Sequence, residues 1–328
     1  MTLSCFEKIS LVILAILGLR LLLRASILAW RKAIAPSLGL GIDPRTQGRW
    51  AVVTGATSGI GKAYAERLAE IGLDVLLVGR SLPALEEVSS DIKQRFGVET
   101  RIVEADLSGG QTVYAKIAKA AEGLEIAILV NNAGASYEYP KHFTEVSEDD
   151  LSTMLLLNVS AVTGITRALI PGMLERKKGI VVNIASAMAV IPSPYLTVYA
   201  ASKAYVVKFS ADLAAETEKN GVTVQCFIPG PVATKMSKIK KATWMAPTPE
   251  KFVEASLKTL GIERCTTGYL PHTLMKTFMQ AFTCTCEKGA IWLVTKTMMN
   301  IRSRAIRKKA ASTVRKPWNT ECAVVVAR

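Results

Sequence analysis

The stretch Thr54-Gly55-Ala56-Thr57-Ser58-Gly59-Ile60-Gly61 lies between a short β-branched run and a segment with helical periodicity. Glycine permits a tight turn and a close approach of the backbone to a phosphate, and the start of the following helix offers unpaired N–H groups to an anion. Glycine-rich turns are common in loops, but one between a strand and a helix predicts a dinucleotide-binding unit. The expected cofactor contacts in this turn are Gly55, Thr57, Ser58, Gly59, Ile60 and Gly61.

Beyond this turn, strand-like and helix-like segments alternate along the chain. Strands are predicted at about 50–54, 74–79, 99–104, 126–131, 179–184 and 223–228, with an edge strand around 268–270. Helices are predicted at about 59–71, 81–96, 112–122, 147–175, 198–219 and 249–260. This alternation predicts an α/β fold, a Rossmann-type doubly wound parallel sheet of about seven strands.

Charge sets the two ends of the chain apart from its middle. Residues 1–50 carry a net charge of +5 and residues 301–328 carry +7, so only +2 of the total +14 falls on the 250 residues between them. The basic segment 302–316 has no interleaved aromatic residues to stack on bases, which favours a lipid surface over nucleic acid; a solvated tail is the alternative. Six scattered cysteines without a Cys-x-x-Cys pair, and only two histidines, disfavour a metal site and indicate a reducing compartment.

The N-terminal segment is apolar and is followed by basic residues. The uninterrupted apolar run 9–19 is short enough for a cleaved signal peptide, but the basic cluster Arg31-Lys32 follows the run instead of preceding it. We therefore expect an uncleaved membrane-anchor helix with the bulk of the chain in the cytosol. Residues 274–299 are apolar but interrupted by charges, which predicts a helix pair lying on the membrane or on the protein body. The predicted organisation is an anchor at 1–32, a linker at 33–48, a cofactor-binding catalytic domain at 49–270 and a C-terminal membrane-associated helical extension with a basic tail at 271–328.

The end of the second predicted strand distinguishes the two nicotinamide cofactors. A chain that binds NAD usually places an acidic residue there to bind the ribose 2′-hydroxyl. Here the strand ends Val78-Gly79-Arg80-Ser81 without an acid in reach, and a guanidinium can bind a 2′-phosphate through charge-assisted hydrogen bonds. Arg80 therefore predicts NADPH; a surface arginine at a helix start is the alternative.

A second group of residues indicates acid–base chemistry. Tyr199 and Lys203 are four residues apart in a predicted helix, so they share one face, and Tyr199 follows Ser186 by 13 residues. The chain has a second Tyr-x-x-x-Lys at 137–141, but Pro140 inside it breaks the helix that the pairing requires. We expect only the later pair to act together.

Residues 49–235 resemble the short-chain dehydrogenases/reductases. The glycine turn, Asn131-Asn132-Ala133-Gly134, Ser186, Tyr199-x-x-x-Lys203 and Pro229-Gly230 stand in the order and spacing of that family. A single motif of this kind occurs by chance, whereas the conjunction is specific. The resemblance implies a carbonyl reductase.

The family resemblance implies a catalytic set of four residues, Asn158, Ser186, Tyr199 and Lys203. A phenol with an ordinary pKa of about 10 is a poor acid–base group at neutral pH, so the Lys203 ammonium is expected to lower the Tyr199 pKa and to hold the nicotinamide ribose. Ser186 is expected to bind the substrate carbonyl, and Asn158 to hold a water of the proton relay. Asn131 is expected to stabilise the sheet. The further cofactor contacts that the family implies are Asp106 (with a helix cap as the alternative), Asn132, Pro229, Val232 and Thr234.

A narrower resemblance extends to about residue 300. The apolar N-terminus, residues 48–54 and 61–66, and the segments 232–236 and 267–270 are similar to the membrane-bound very-long-chain 3-oxoacyl-CoA reductases and 17β-hydroxysteroid dehydrogenases. This branch implies the endoplasmic reticulum membrane, a catalytic domain facing the cytosol, and NADPH-dependent reduction of a lipid ketone. The preferred substrate is 3-oxoacyl-CoA in very-long-chain fatty-acid elongation, and a 17-ketosteroid such as estrone is the alternative.

Further expectations concern substrate and partners. Tyr199 is present, whereas some hydroxysteroid dehydrogenase-like proteins have lost the tyrosine, so we expect an enzyme and not a reductase-like scaffold of a lipid-synthesis complex. Pro229-Gly230-Pro231 follows the general family where this branch often has a bulkier residue, which affects pocket shape. The resemblance also implies other elongation enzymes, and a second copy of the chain in a homodimer, as partners. We hypothesise that four loop lysines favour anionic CoA over a neutral steroid, with a solvated or lipid-facing stretch as the alternative: Lys235, Lys238, Lys240 and Lys241.

Overall fold

A parallel sheet of seven strands forms the centre of the protein. The structure, a computed structural model, describes residues 4–314. The strands pair in the order β3-β2-β1-β4-β5-β6-β7, and every pair is parallel. The predicted doubly wound fold is confirmed. The strands are β1 (Trp50–Thr54), β2 (Asp74–Gly79), β3 (Thr100–Glu104), β4 (Ile126–Asn131), β5 (Gly179–Ile184), β6 (Val222–Phe227) and β7 (Cys265–Thr266).

Helices cover both faces of the sheet because side chains alternate along each strand. Ala51 and Val53 of β1 lie in one buried apolar cluster with helices α2, α3 and α8, whereas Trp50 and Val52 lie in another with α4, α6 and α7. The helices are α1 (Cys5–Ala29), α2 (Gly59–Glu70), α3 (Leu82–Phe96), α4 (Gln111–Ala120), α5 (Glu148–Leu155), α6 (Ala161–Arg176), α7 (Thr197–Thr217), α8 (Pro249–Leu257), α9 (Leu270–Thr285) and α10 (Glu287–Val314).

Two elements differ from the sequence prediction. The single helix predicted at 147–175 is divided by a π-helical turn at Leu156–Ser160, which separates α5 from α6. The edge strand predicted at 268–270 lies instead at Cys265–Thr266. Gly268 adopts a left-handed φ of +68°, and Leu270 and Pro271 already begin α9, so the chain cannot remain extended there.

The N-terminal helix α1 is attached to the edge of the sheet. Helical conformation continues through a π-helical turn at Trp30–Ile34 to Ser37, inside the segment predicted as a linker. Where this extension meets the protein body, the Lys32 ammonium donates hydrogen bonds to the Glu263 carboxylate and the Thr266 hydroxyl beside β7. The position of α1 is thus fixed relative to the sheet by a largely buried ion pair.

Two helical stretches are long and apolar enough to cross a membrane among the described residues. Phe6–Ser37 has a mean hydropathy of 2.3 in its most apolar window, and none of that window is buried in the protein. Glu148–Arg176 reaches 1.5 but is half buried, because α6 packs against β4 and β5 in the core. By length, composition and exposure the first stretch could cross a membrane, whereas the second is an element of the core.

Candidate active site

A cavity of about 550 Å³ opens at the carboxyl ends of the central strands. It lies where the chain connections of β1 and β4 diverge, which is where ligands bind in open α/β sheets. Most of the residues predicted from the sequence meet there. Those that line the cavity are Gly55, Thr57, Ser58, Gly59, Ile60, Arg80, Asn132, Ser186, Tyr199, Lys203, Pro229, Val232 and Thr234.

Glycine shapes the turn between β1 and α2. Gly55 and Gly59 have φ of +66° and +57°, in the left-handed region that glycine tolerates. A Cβ at Gly61 would lie 2.2 Å from the carbonyl oxygen of Gly55, so only glycine lets α2 pack this closely against the turn. Gly61 therefore lies outside the cavity lining and holds the turn that forms it.

This turn fits a dinucleotide. A helix start carries unpaired N–H groups and a partial positive charge that favour a pyrophosphate. Within the described chain the Ser58 side chain makes no capping hydrogen bond to α2, so those groups remain for a ligand. A Cβ at Gly59 would lie 3.3 Å from Thr234 Cγ2, so a larger residue would narrow the space between the turn and the loop opposite. Arg80 lines the same cavity at the end of β2, in position for a 2′-phosphate.

The loop after β4 is tied to the glycine turn through Thr54 and Asn132. The Thr54 hydroxyl oxygen accepts the backbone N–H groups of Asn132 at 3.0 Å and Ala133 at 3.1 Å. In return, Asn132 Nδ2 donates to the Thr54 carbonyl at 3.0 Å. Asn131 donates to Thr166 and Asn183 in the core, which confirms its predicted role in the sheet. These contacts bring both sides of the crevice into one rigid unit.

Asn158 lies behind the cavity wall, fully buried in the π-helical turn. Its Nδ2 donates to the Ala135 carbonyl and to the Ser202 hydroxyl oxygen, each at 2.9 Å, and its Oδ1 accepts the Ala135 N–H at 2.9 Å. The π turn, of a kind often found at functional sites, places this amide between the loop after β4 and helix α7. Asn158 thereby fixes helix α7 against the loop after β4.

Gly134 allows the close approach of the Asn158 and Lys203 side chains. A Cβ at this position would lie 2.7 Å from Asn158 Oδ1 and 3.2 Å from Lys203 Nζ. Any side chain here would push the amide or the ammonium away. Gly134 also lines the cavity, so backbone forms the wall next to Lys203.

Ser186, Tyr199 and Lys203 come together from two elements. Ser186 follows β5, where its side-chain oxygen accepts the Met188 N–H at 3.3 Å. Tyr199 and Lys203 lie one turn apart on the same face of α7. Lys203 is 5% exposed, and its ammonium donates to the Ile184 carbonyl at 3.0 Å. The three side chains all reach the cavity.

Burial governs the protonation of Tyr199 and Lys203. It raises the pKa of Tyr199, and hydrogen bonding to Ser186 opposes that rise. It lowers the pKa of Lys203 to about 8. The direction for Tyr199 is opposite to the lowering that the sequence predicts from Lys203, because the loss of solvation outweighs the other contributions.

Asp106 carries out the alternative role considered from the sequence. Its Oδ1 accepts hydrogen bonds from the Ser108 backbone N–H at 3.0 Å and the Ser108 hydroxyl at 2.7 Å, which caps a short 3₁₀ helix. These bonds, together with the more distant charge of Arg80, lower the pKa of the Asp106 carboxyl. Ala105 and Leu107 on either side line the cavity, but Asp106 does not. Its contact with adenine stays a prediction.

Two further residues, which no sequence motif indicates, hold helix α7 in place. Ser202 accepts from Asn158 and donates to the Tyr199 carbonyl at 2.8 Å, so it joins the asparagine to the catalytic helix. Tyr137 lies outside any helix, as Pro140 predicts. Its hydroxyl oxygen accepts the Val198 N–H at 3.1 Å and holds the start of α7. No motif marks these roles, because both depend on contacts across the fold.

The chain belongs to the short-chain dehydrogenase family, whose sequence profile matches residues 49–244. The very-long-chain 3-oxoacyl-CoA reductase of Anas platyrhynchos is 44% identical over 283 residues, which cover 86% of this chain and 87% of that protein. The inactive hydroxysteroid dehydrogenase-like protein 1 of Homo sapiens is 41% identical over 282 residues, covering 84% and 83%. Overall sequence similarity therefore does not separate active from inactive relatives. That distinction depends on which residues are present at the site.

Solved structures of the family agree with the fold and the cofactor. A 7β-hydroxysteroid dehydrogenase structure is 25% identical with a TM-score of 0.70, and the match covers 77% of this chain and all of that one. A short-chain dehydrogenase from Sphingobium yanoikuyae in complex with NADPH is 28% identical with a TM-score of 0.59, covering 64% and 83%. The chain is an oxidoreductase that acts between C=O and CH–OH groups with NADPH as its cofactor.

Proposed function

We propose that the chain reduces 3-oxoacyl-CoA to 3-hydroxyacyl-CoA during the elongation of very-long-chain fatty acids. The main support is the convergence of Ser186, Tyr199 and Lys203 on one cavity, in a chain whose relatives bear the name of this reductase. A scaffold without activity is disfavoured because the acid–base tyrosine is in place. Reduction of a 17-ketosteroid is the second candidate, supported by the likeness to a hydroxysteroid dehydrogenase structure.

Each catalytic residue has a task at the substrate oxygen. NADPH, when bound, supplies a hydride to the carbonyl carbon. The Ser186 hydroxyl donates a hydrogen bond to the carbonyl oxygen and orients it, and the Tyr199 phenol delivers the proton to the same oxygen. The Lys203 ammonium, one turn along α7, stabilises the phenolate that remains. Asn158 keeps α7 and the loop after β4 together, and it is expected to hold a water of the proton relay.

Positive charge near the cavity supports a CoA ester over a steroid. Lys235 lines the cavity, and Lys238 donates to the Glu138 carbonyl at 2.7 Å. Lys309 of α10 pairs with the carboxylate of the same Glu138 at 3.1 Å. Both basic segments thus meet the loop after β4, and CoA brings several phosphate charges whereas a steroid brings none.

A very-long-chain acyl ester partitions into a membrane, and the chain has apolar helices that can hold it at the same membrane. We place α1 across the endoplasmic reticulum membrane with the catalytic domain in the cytosol, where NADPH is available. The exposed apolar side chains of Leu274 and Phe278 on α9, and of Trp292 on α10, support contact of the C-terminal extension with the same bilayer. Other elongation enzymes and a second copy of the chain are the proposed partners there.

The direct test is NADPH consumption by the full-length chain in detergent. Substrates are a length series of 3-oxoacyl-CoA esters, estrone and retinal. The proposal expects turnover with the long acyl-CoA esters, and Tyr199→Phe is expected to lose about 10²–10⁴-fold in kcat while still binding NADPH. Turnover of estrone without turnover of any acyl-CoA ester would show that the enzyme is a steroid reductase. Full activity of Tyr199→Phe would contradict the proposed chemistry.

A charge variant tests the choice between CoA and steroid. Lys235, Lys238, Lys240 and Lys241 are replaced together by Gln, and four exposed lysines far from the mouth, Lys93, Lys119, Lys208 and Lys219, are replaced by Gln as a matched control. We expect the first variant to lower kcat/KM for the acyl-CoA ester by about tenfold or more, and to leave estrone unchanged. An equal loss for both substrates, or the same loss in the control, would refute the CoA assignment.

A further inference from the structure

The segment 231–247, here called the cofactor loop, connects β6 to α8 and forms one wall of the cavity. Val232, Thr234 and Lys235 on this loop line the cavity. The two ends of the loop lie side by side, since the Ala233 N–H donates to the Pro247 carbonyl at 2.9 Å. The conformation of the loop between these ends therefore determines the shape of that wall.

His272 touches both ends of the cofactor loop from the first turn of α9. It is fully buried, and its Nε2 lies 3.0 Å from the Pro231 carbonyl oxygen and 3.1 Å from the Met245 carbonyl oxygen. Carbonyl oxygens only accept, so Nε2 carries the hydrogen and shares it between the two. One side-chain donor thus bridges the segment that leads into the cavity and the segment that leaves it.

The other ring nitrogen indicates that His272 is present for this bridge. Nδ1 is buried and has no hydrogen-bond partner within residues 4–314. Leaving a buried acceptor unpaired is unfavourable, so the ring is held through Nε2 alone, and burial lowers the pKa of His272, which disfavours the charged ring. In its neutral form the ring has one donating nitrogen, Nε2, and that donor serves both carbonyl oxygens.

Around His272, helix α9 packs closely against the wall of the cavity. A Cβ at Gly230 would lie 2.8 Å from His272 Cδ2 and 2.8 Å from Met275 Cε, so α9 lies directly on the backbone that enters the loop. Tyr269 packs edge-on against the His272 ring at 5.0 Å, and its hydroxyl donates to the Trp244 carbonyl at 3.1 Å. Tyr269 and His272, three residues apart at the start of α9, thus hold the carbonyls of the neighbouring residues Trp244 and Met245.

We propose that His272 is a positioning residue for NADPH, which clamps the cofactor loop so that its cavity-lining residues are already in place when the cofactor binds. Tyr269 assists through Trp244. Pre-ordering the loop removes an entropic cost that binding would otherwise carry. The clamp acts on cofactor affinity, so it is independent of which ketone is reduced.

The test compares His272→Leu, which has no donor, with His272→Gln, which keeps a side-chain N–H, in the full-length chain in detergent. Three quantities are measured: the Kd of NADPH by fluorescence, the rate of tryptic cleavage after the loop lysines at 235–241, and the thermal midpoint. For His272→Leu we expect a Kd raised by about tenfold and loop cleavage accelerated by a similar factor, with kcat at saturating NADPH within about threefold of the parent. His272→Gln is expected to recover most of both losses.

Several outcomes would overturn the clamp. One is a lowered thermal midpoint in His272→Leu with unchanged Kd and unchanged loop cleavage, which is what a merely structural histidine gives. Another is a kcat loss without a Kd change. Tyr269→Phe removes a single hydroxyl and serves if His272→Leu does not fold. It is expected to shift Kd and cleavage in the same direction by a smaller factor. Parent-like Kd and cleavage in Tyr269→Phe, or losses in His272→Gln as large as those in His272→Leu, would refute the proposal.

Discussion

The Lys203 ammonium donates a hydrogen bond of 3.0 Å to the backbone carbonyl of Ile184, which joins helix α7 to the last residue of β5. Ser186 follows this strand end by two residues, so one side chain sets the distance between the helix that carries Tyr199 and the turn that carries the serine. The hydrogen bond is buried, and burial lowers the Lys203 pKa to about 8. The charge of this residue is therefore within reach of the pH range in which enzymes are assayed.

We expect NADPH binding to weaken as the pH rises through about 8. A lysine with a pKa of about 8 is charged below that pH and neutral above it, so its attraction for the anionic cofactor is present on the acid side and is lost on the alkaline side. The measurement is the Kd of NADPH from about pH 6.5 to about 9.5. Tyr199→Phe is the control and is expected to keep the same profile. A Kd that is constant across this range would show that Lys203 does not titrate there.

Arg80 is expected to select NADPH over NADH. Its replacement by Gln removes charge-assisted hydrogen bonds to the 2′-phosphate, and kcat/KM for NADPH should fall by about 10–100-fold while the value for NADH changes little. Steady-state kinetics with both cofactors measures the preference. Arg95→Gln, at an equally basic but remote position on α3, should leave it unchanged. An unaltered preference in Arg80→Gln would assign the 2′-phosphate to another residue.

Gly134→Ala is expected to impair catalysis without unfolding the protein. The added methyl would meet Asn158 Oδ1 at 2.7 Å and Lys203 Nζ at 3.2 Å, so one of them must move, and displacement of a catalytic group by a fraction of an ångström to 1 Å costs up to about 100-fold in kcat. The matched control is Gly172→Ala on α6, where a Cβ meets nothing within 4 Å. That variant should keep full activity and gain a little helix stability. Parent-like kcat in Gly134→Ala would mean that Asn158 and Lys203 tolerate a shift.

Loss of the Glu263 charge is expected to destabilise the junction between α1 and the sheet. Glu263→Gln leaves the Lys32 ammonium largely buried, with the Thr266 hydroxyl but without a counterion. We expect the free energy of unfolding, from urea titration in detergent, to fall by about 1–3 kcal/mol. The control is Glu254→Gln, which breaks an exposed pair with Lys258 and should cost about 0–0.5 kcal/mol. Equal losses in the two variants would show that burial adds nothing at Lys32.

The parts of this protein that the sequence predicts are those written in local patterns. The glycine turn at 54–61 and the spacing from Ser186 to Lys203 predict the crevice and its catalytic wall, because each motif is read within one strand-to-helix connection. The β-branched runs predict the central strands for the same reason. The doubly wound sheet then follows from the alternation of these elements.

What the sequence does not predict depends on contacts between distant segments. His272 lies between predicted elements and belongs to no motif, and its role emerges only when α9 is placed against the loop 231–247. Lys32 reads as the end of an anchor until β7 brings Glu263 beside it. The edge strand itself is only two residues long, too short for a period-two pattern to place. The direction of the Tyr199 pKa shift likewise depends on burial, which no local motif reports.

The π-helical turn at Leu156–Ser160 holds one residue more than a regular α-helix of the same length would. Deleting a single residue from this turn would therefore join α5 and α6 into one regular helix, with Leu169 and Met173 still packed against the sheet. The widened turn that places the Asn158 amide between Ala135 and Ser202 would be lost. The extra residue thus serves the site, whereas the core would fold without it.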